Sequence, residues 1–246
     1  MRPARQIPSL TKTALRRLAG QIVRFPADRS FAHQRVTVLR RSEVQLVLDV
    51  GANGGQFAAE IRAYGYQGKI ISYEPLTAPF QRLALRAAHD ADWEVVQTAL
   101  GATPDTTVMN VAANMGASSS ILPMLQAHTK AAPHAGYVGQ ETVQVQRLDD
   151  LVGDRPAALR TFLKLDVQGF ERDVMRGGEA TLEKIVGLQI ELSLQPLYEG
   201  QMLYAEVLDW ARAGGFALVG IEPGLVDHQS GVLLQADALF VRPDTR

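Results

Sequence analysis

A glycine-rich turn after a short apolar run is the segment of this chain best suited to hold a ligand. Residues 47–55 read Val-Leu-Asp-Val-Gly-Ala-Asn-Gly-Gly. Glycine adopts positive φ angles and leaves room beside the backbone, so such a turn after a strand is typical of a nucleotide-type site. Because two glycines follow each other directly, the spacing is not G-x-G-x-x-G, which weakens a dinucleotide interpretation. The expected cofactor contacts here are Asp49, Gly51, Ala52, Asn53, Gly54 and Gly55.

A carboxylate stands at the end of the second apolar run, 23 residues after the first glycine of the turn. This is Glu74, and its spacing suits an acid that accepts hydrogen bonds from the two hydroxyls of a ribose. Pro75 follows it and helps to end the strand. Asp49 either orients the glycine turn or meets an ammonium group of the ligand. The third run ends at Ala99 and Leu100, which are expected to line a base pocket.

Charged side chains recur at the ends of the fourth and fifth apolar runs. Lys164 and Asp166 face the same way by strand alternation and are able to pair. Glu191 is expected beside Asp166, because the carboxyl ends of parallel strands share one edge of the sheet. The alternative is a purely structural Lys–Asp pair, with Glu171 serving only the helix dipole. Tyr198 is expected either to line an acceptor pocket or to pack in the core.

The elements that must position these residues alternate between short β-rich runs and longer segments of helical periodicity. This alternation indicates an α/β fold with a doubly wound, mostly parallel sheet. Strands are predicted over residues 45–50, 69–73, 93–100, 161–166, 186–192, 216–221 and 238–242, and helices over 57–64, 79–89, 170–176 and 203–213.

The alternation breaks between residues 101 and 160. Two extra strands are predicted there, over 106–112 and 141–148, forming an inserted hairpin. Between them lies a long stretch, 114–140, which we interpret as a lid because loops of that length in compact domains are usually functional or disordered. Ser119 in this stretch offers a short hydroxyl to a cofactor.

Length and composition bound the class of protein. The 246 residues include no cysteine, which excludes a thiolate nucleophile and any disulfide or Cys-ligated metal. No run approaches the about 20 apolar residues of a membrane span, and no apolar signal core is present, so we expect a cytoplasmic location. We predict a basic N-terminal helical extension over residues 1–42 and one catalytic domain over 43–246.

The N-terminal segment carries most of the chain's positive charge. The first 41 residues contain ten Lys or Arg and one acid, although the whole chain has a net charge of -1. Apolar residues recur between Leu15 and Phe25 at helical spacing, which predicts a basic amphipathic helix. One interpretation has this helix pack on the domain or a partner subunit. The other has it rest on an anionic membrane surface at the inner face of the membrane.

Several motifs together resemble the FkbM-type methyltransferases, a branch of the class I S-adenosylmethionine-dependent fold. They are LDVGANGG, YEP, NMGASSS, LKLDVQGFE and IELS with a later PLY. The resemblance implies a Rossmann-like, seven-stranded sheet with an antiparallel last strand and S-adenosyl-L-methionine as cofactor, bound by the glycine turn, Glu74 and the fourth-strand edge. It also implies O-methylation of natural products, sugars or glycolipids. Gln168 departs from the family, which commonly has Glu, so a charged role at that position is in doubt.

The mechanism expected for methyl transfer to a hydroxyl needs positioning and a proton acceptor. Our hypothesis is that Asp166, assisted by Glu191, orients or deprotonates the acceptor hydroxyl, and that Lys164 holds Asp166. The two acids could alternatively hold Mg²⁺ or Mn²⁺. His128 and His134, in the predicted lid, are rival bases because imidazole titrates near neutrality.

Two other classes of function compete with this one. An NAD-dependent or nucleotide-sugar oxidoreductase shares the strand–turn–helix and the ribose acid, but the glycine spacing and the lack of a Tyr-x-x-x-Lys pair disfavour it. A non-catalytic interaction module is disfavoured by the intact glycines and acids. We expect no nucleic-acid partner, because the body of the chain is acidic and has no aromatic stacking run. The preferred acceptor is a glycolipid or glycosylated natural product, and the oligomeric state is not predicted.

Overall fold

The structure, a computed structural model, describes residues 30–243 of the chain. The amphipathic helix predicted between residues 15 and 25 lies outside the described residues. Short apolar runs form the strands, as their composition predicts. The strands of the described part are β1 (Leu46–Val50), β2 (Lys69–Tyr73), β3 (Trp93–Val96), β4 (Ala99–Leu100), β5 (Asp105–Ala112), β6 (Tyr137–Gln146), β7 (Thr161–Leu165), β8 (Gly187–Ser193), β9 (Ala217–Pro223), β10 (Val226–Asp227), β11 (Val232–Leu233) and β12 (Gln235–Val241).

Seven strands form the central sheet in the order β3-β2-β1-β7-β8-β12-β9. β1 pairs in parallel with both β2 and β7, while β12 pairs antiparallel with β8 and β9. Every residue of β1 and β7 is buried, as expected for central parallel strands covered on both faces. The predicted doubly wound fold with an antiparallel last strand is therefore confirmed.

Helices cover both faces of this sheet. Apolar residues of α1, α2 and α3 pack with β1 and β2 on one face, and those of α5, α7, α8 and α9 pack on the other. Across residues 30–243, none of the helices is both long and apolar enough to cross a bilayer. The helices are α1 (Phe31–Arg41), α2 (Gln56–Ala63), α3 (Thr77–Ala87), α4 (Gln126–Ala131), α5 (Leu148–Val152), α6 (Arg155–Ala158), α7 (Glu171–Gly177), α8 (Glu179–Leu182) and α9 (Tyr204–Ala213).

Helix α1 was not predicted from the sequence, although it lies in the predicted N-terminal extension. Its first turn is capped by Ser30, whose hydroxyl accepts the His33 backbone N–H at 3.1 Å, an N-cap interaction typical of serine. The side chains of Leu39 and Val36 are buried against the sheet. The domain boundary at residue 42 stays a prediction.

The predicted strand over 93–100 is wrong in one respect, because it divides into β3 and β4. β4 belongs to a second sheet of order β4-β6-β5. The chain changes sheets at Thr98, whose hydroxyl lies 3.1 Å from the backbone carbonyl of Gln144 in β6. β5 and β6 pair antiparallel, as the predicted inserted hairpin requires.

Two further expectations are corrected. The stretch 114–140 is not one long loop, since it contains α4, a 3₁₀ turn at Pro133–Ala135 and the start of β6. Its movement as a lid stays a prediction. The last strand begins at Gln235 rather than at Ala238, which pairs Gln235 and Asp237 with the carboxyl end of β8.

Candidate active site

A cavity of about 390 Å³ opens at the carboxyl ends of β1, β2, β4 and β7. The strand order reverses between β1 and β7, and ligands bind at such switch points in doubly wound sheets. Its volume falls within the about 300–1,000 Å³ typical of small-molecule sites. The predicted site residues that line it are Gly51, Ala52, Asn53, Glu74, Pro75, Ala99, Leu100, Ser119, Lys164 and Asp166.

Gly51 is required by the contact between the first and fourth strand ends. Its φ is +75°, and a Cβ built there would lie 1.8 Å from the backbone oxygen of Asp166. The Asp166 N–H also donates to the Val50 carbonyl at 3.2 Å. The protein's own backbone therefore fills the space that the glycine leaves, and this packing sets Asp166 directly beside the glycine turn.

Three predicted cofactor contacts do not line the cavity. A Cβ on Gly55 would meet Leu83 at 2.9 Å and Trp93 at 3.0 Å, and one on Gly54 would meet Arg82. These two glycines allow the turn to pack on α3 and β3 instead of on a ligand. The third residue is Asp49, which lies within β1.

Asp49 is fully buried. Its Oδ2 accepts the Ser72 hydroxyl at 2.9 Å, and Ser72 in turn accepts Trp93 Nε1 at 3.0 Å. Its Oδ1 has no hydrogen-bond partner and lies 3.7 Å from Lys164 Nζ. Burial raises the pKa of Asp49, and the Lys164 charge opposes the shift. Of the two roles considered, this geometry favours orientation of the turn over direct contact with a ligand.

Two backbone N–H groups hold the carboxylate of Glu74 in place. Its Oε2 accepts the Asn53 N–H at 2.8 Å, and its Oε1 accepts the Leu76 N–H at 2.9 Å. Burial raises its pKa to about 7, although these two N–H groups pull it down. Since each carboxylate oxygen has two acceptor positions, one remains on each oxygen for a ligand hydroxyl.

Lys164 ties the glycine turn to the acid after β7. Its Nζ donates to the Gly51 carbonyl at 2.9 Å and lies 3.4 Å from Asp166 Oδ2. Burial alone would lower the pKa of Lys164, but the carboxylates of Asp166 and Asp49 raise it overall. The ammonium group therefore stays charged between the two acids.

Glu191 reaches Asp166 through an amide and does not itself line the cavity. Gln168 Nε2 donates to Asp166 Oδ1 at 2.8 Å and to Glu191 Oε2 at 2.9 Å. Burial raises the pKa of Glu191 well above its usual range, and the carboxylates of Asp166, Glu171 and Asp237 add to the shift. The two acids were predicted to lie together, but the bridging role of Gln168 was not predicted from the sequence.

A polar wall of four further residues was also missed. Arg35 Nε donates to Gln189 Oε1 at 2.6 Å, and its guanidinium pairs with Glu60 at 2.5 Å. Gln189 Nε2 then donates to Asp237 Oδ1 at 3.1 Å. All four line the cavity. The signal in the sequence that could have indicated them is the presence of Gln189 and Asp237 within the largely apolar strands β8 and β12.

The inserted segment contacts the site through serines and does not bring its histidines into it. The Ser119 hydroxyl accepts the Ala112 N–H at 2.9 Å, and Ser120 Oγ donates to the Gln168 carbonyl at 2.7 Å. His128 is buried against Tyr198, with ring centroids 5.3 Å apart, and burial lowers its pKa. Neither His128 nor His134 lines the cavity, which disfavours both as rival bases.

Comparison with known proteins identifies the family. Residues 49–218 match the model of the methyltransferase FkbM domain, which is more than half of the chain and contains the glycine turn, Glu74 and both acids.

The chain belongs to the FkbM methyltransferase family.

At low sequence identity, this methyltransferase is similar to several known methyltransferases. It is 24% identical over 199 residues to the 2-O-methyltransferase NoeI of Sinorhizobium fredii, covering 76% of this chain and 79% of the relative. A solved rRNA methylase from Streptococcus thermophilus is 12% identical with a TM-score of 0.47, over 87% of this chain and 97% of the other. The S-adenosylmethionine-bound magnesium protoporphyrin IX methyltransferase of Synechocystis is 11% identical with a TM-score of 0.46, over 86% and 78% of the two chains.

The two acids considered as alternative metal ligands are Asp166 and Glu191. Among residues 30–243 there is no cluster of three or more His, Cys, Asp or Glu side chains that could hold an ion. The Gln168 amide joins Asp166 and Glu191 by donating to one oxygen of each carboxylate.

Proposed function

We propose that this methyltransferase transfers a methyl group from S-adenosylmethionine to a hydroxyl of a sugar-containing acceptor, such as a glycolipid or glycosylated natural product. The observation that carries the proposal is that one cavity is lined both by Glu74 and by Asp166, whose side chain is 33% exposed. A relative named as a 2-O-methyltransferase supports oxygen as the methylated atom.

The chain's residues fit the cofactor in the half of the cavity around Glu74. The free acceptor position on each of its carboxylate oxygens suits the two hydroxyls of a ribose. Ala99 and Leu100 supply a small apolar surface for an adenine ring. Bound S-adenosylmethionine supplies a methyl group on a positively charged sulfur, which is already a good leaving group.

Asp166 is the group placed to act on the acceptor. Its carboxylate orients the hydroxyl and receives its proton as the new C–O bond forms and the C–S bond breaks. Lys164 keeps the carboxylate in place through the ion pair described above. Gln189 and Asp237 add an amide and a carboxylate to the same cavity, which suits an acceptor with several hydroxyls. Most of the rate acceleration then comes from positioning.

The first experiment is calorimetric titration of the full chain with S-adenosylmethionine, S-adenosylhomocysteine and NAD⁺. We expect the two sulfur nucleosides to bind and NAD⁺ not to bind. Glu74→Ala should abolish binding, whereas Glu94→Ala, an exposed acid on the neighbouring strand, should not. Binding of NAD⁺ would favour the oxidoreductase, and absence of all binding would favour the interaction module.

The second experiment tests the acceptor and the chemistry. A panel of glycolipids and glycosylated compounds is incubated with labelled cofactor, with and without EDTA. We expect transfer to a sugar hydroxyl that is insensitive to EDTA and that falls by about 10²-fold or more in Asp166→Asn, with cofactor binding intact. Unchanged turnover in Asp166→Asn would reject the proposed role, and loss of activity in EDTA would indicate a metal.

A further inference from the structure

Gln168 occupies a backbone conformation that few residues with a side chain adopt. Its φ is +54°, and Gly169 after it has a φ of +98°. A left-handed backbone is unfavourable for any residue with a Cβ. Such a conformation persists where contacts with the surrounding structure stabilise it. The hydrogen bond from Ser120 Oγ to the Gln168 carbonyl, 2.7 Å long, is one of the contacts that hold it there.

The amide nitrogen of Gln168 donates hydrogen bonds to two acids on one side. Its nitrogen carries two protons, and one goes to Asp166 Oδ1 at 2.8 Å and the other to Glu191 Oε2 at 2.9 Å. An ionised carboxylate can only accept hydrogen bonds. The observed amide has its nitrogen facing the acids and its oxygen facing the opposite way, which is the orientation that suits ionised carboxylates.

Tyr198 meets that oxygen on the other side. Its hydroxyl is 2.7 Å from Gln168 Oε1 and 3.1 Å from the Ser118 carbonyl, and its side chain is fully buried. A Cβ on Gly169 would lie 2.9 Å from the Tyr198 Cβ, so the glycine lets the tyrosine approach. A reversed amide would turn its oxygen toward two carboxylates and would lose the shorter of the two contacts of the tyrosine hydroxyl, the hydrogen bond donated to Oε1.

We propose that Gln168 is a positioning residue that holds Asp166 and Glu191 in one arrangement and favours their ionised forms, and that Tyr198 fixes the direction of its amide. This inference rests on the proposed function, in which Asp166 receives the hydroxyl proton. A hydrogen bond donated to a carboxylate stabilises its charged form. This arrangement, which we call the clamp, thus keeps Asp166 ready to accept a proton at a site that contains several other acids.

The hydrogen bond from Gln168 to Glu191 matters because the surroundings of this carboxyl raise its pKa. Burial is the largest influence that raises its pKa. Gln235 Nε2 also donates to Glu191 Oε2, at 2.7 Å, so two amides oppose the effect of burial. The charged and titratable groups that face Glu191 are Asp166 and Lys164 at the end of β7, Glu171 on α7, Asp237 on β12 and Tyr198 after β8.

The test compares pH profiles of three full-length variants. Gln168→Met keeps the length of the side chain and removes both donors. We expect the acid limb of its kcat profile to move up by about one pH unit, because a hydrogen bond to a charged group is lost. Its KM for S-adenosylmethionine should change by less than about twofold. Tyr198→Phe should shift the limb in the same direction by less. Tyr137→Phe, which removes a hydroxyl that donates to the Leu122 carbonyl at 2.8 Å, is the matched control and should not shift it.

A second readout does not depend on activity. Titration of the Glu191 carboxyl by ¹³C NMR, assigned with Glu191→Gln, should show a higher pKa in Gln168→Met than in the unsubstituted protein. An unchanged Glu191 titration and an unchanged acid limb would each overturn the clamp. If the protein binds cofactor but methylates no acceptor, the proposed function fails while the NMR titration still decides the clamp. If Gln168→Met does not fold, Tyr198→Phe decides it by both readouts.

Discussion

Gly51→Ala tests the contact on which the site is built. A Cβ at this position would lie 1.8 Å from the Asp166 carbonyl oxygen, at a φ of +75°. Close C···O contacts in proteins are about 3.3–3.6 Å, so the two strand ends would have to separate by about 1.5 Å. Gly215, in the turn after α9, has a φ of +76° and no atom within 4 Å of its Cβ position. It is therefore a matched control for backbone strain alone.

The expected energies follow from these two environments. Gly215→Ala should lower the free energy of unfolding by about 1–2 kcal/mol through its left-handed backbone. Gly51→Ala should lower it by about 1–3 kcal/mol more, because overpacking strain is added to the same backbone term. Urea unfolding followed by tryptophan fluorescence measures both values. Gly51→Ala should also weaken cofactor binding, since Lys164 Nζ donates to the Gly51 carbonyl. Equal destabilisation of the two variants would refute the close approach of β1 and β7.

Three further predictions concern buried charge and the N-terminal segment. Lys164→Met should lower the free energy of unfolding by about 3–5 kcal/mol, because the buried Asp49 loses its cation. The exposed Lys69→Met should change it by less than about 0.5 kcal/mol, and a similar effect of both would contradict the buried pairing. Burial raises the pKa of Glu171 to about 7, so the folded state binds more protons than the unfolded state between about pH 4.5 and 7. The contribution of Glu171 to the free energy of unfolding therefore falls as pH rises through that window. Glu171→Gln should make the free energy of unfolding in urea depend less steeply on pH, and an unaltered slope would contradict this prediction. Residues 1–28 carry six Lys or Arg, each worth about 1 kcal/mol near an anionic surface, so their deletion should abolish co-sedimentation with anionic vesicles, and unchanged sedimentation would remove the membrane interpretation.

The parts of this protein that the sequence determined by itself are those governed by local chain chemistry. Apolar periodicity predicted all seven strands of the central sheet to within a few residues at most boundaries, because period and burial are written along one segment. The glycine turn and Glu74 were found because each follows its own strand directly. The family resemblance was carried by the same local motifs and is confirmed by the match over residues 49–218.

Only the tertiary structure decided which of these residues meet. Gln168 reaches Glu191 across 23 residues of sequence, and Arg35 reaches Gln189 across 154. Such pairs depend on strand order, register and the packing of α1, none of which leaves a periodic signal in one segment. The same is true of Gly51, whose necessity comes from the Asp166 carbonyl on another strand. Local chemistry thus determined which groups stand at the strand ends, and long-range packing determined the distances between them.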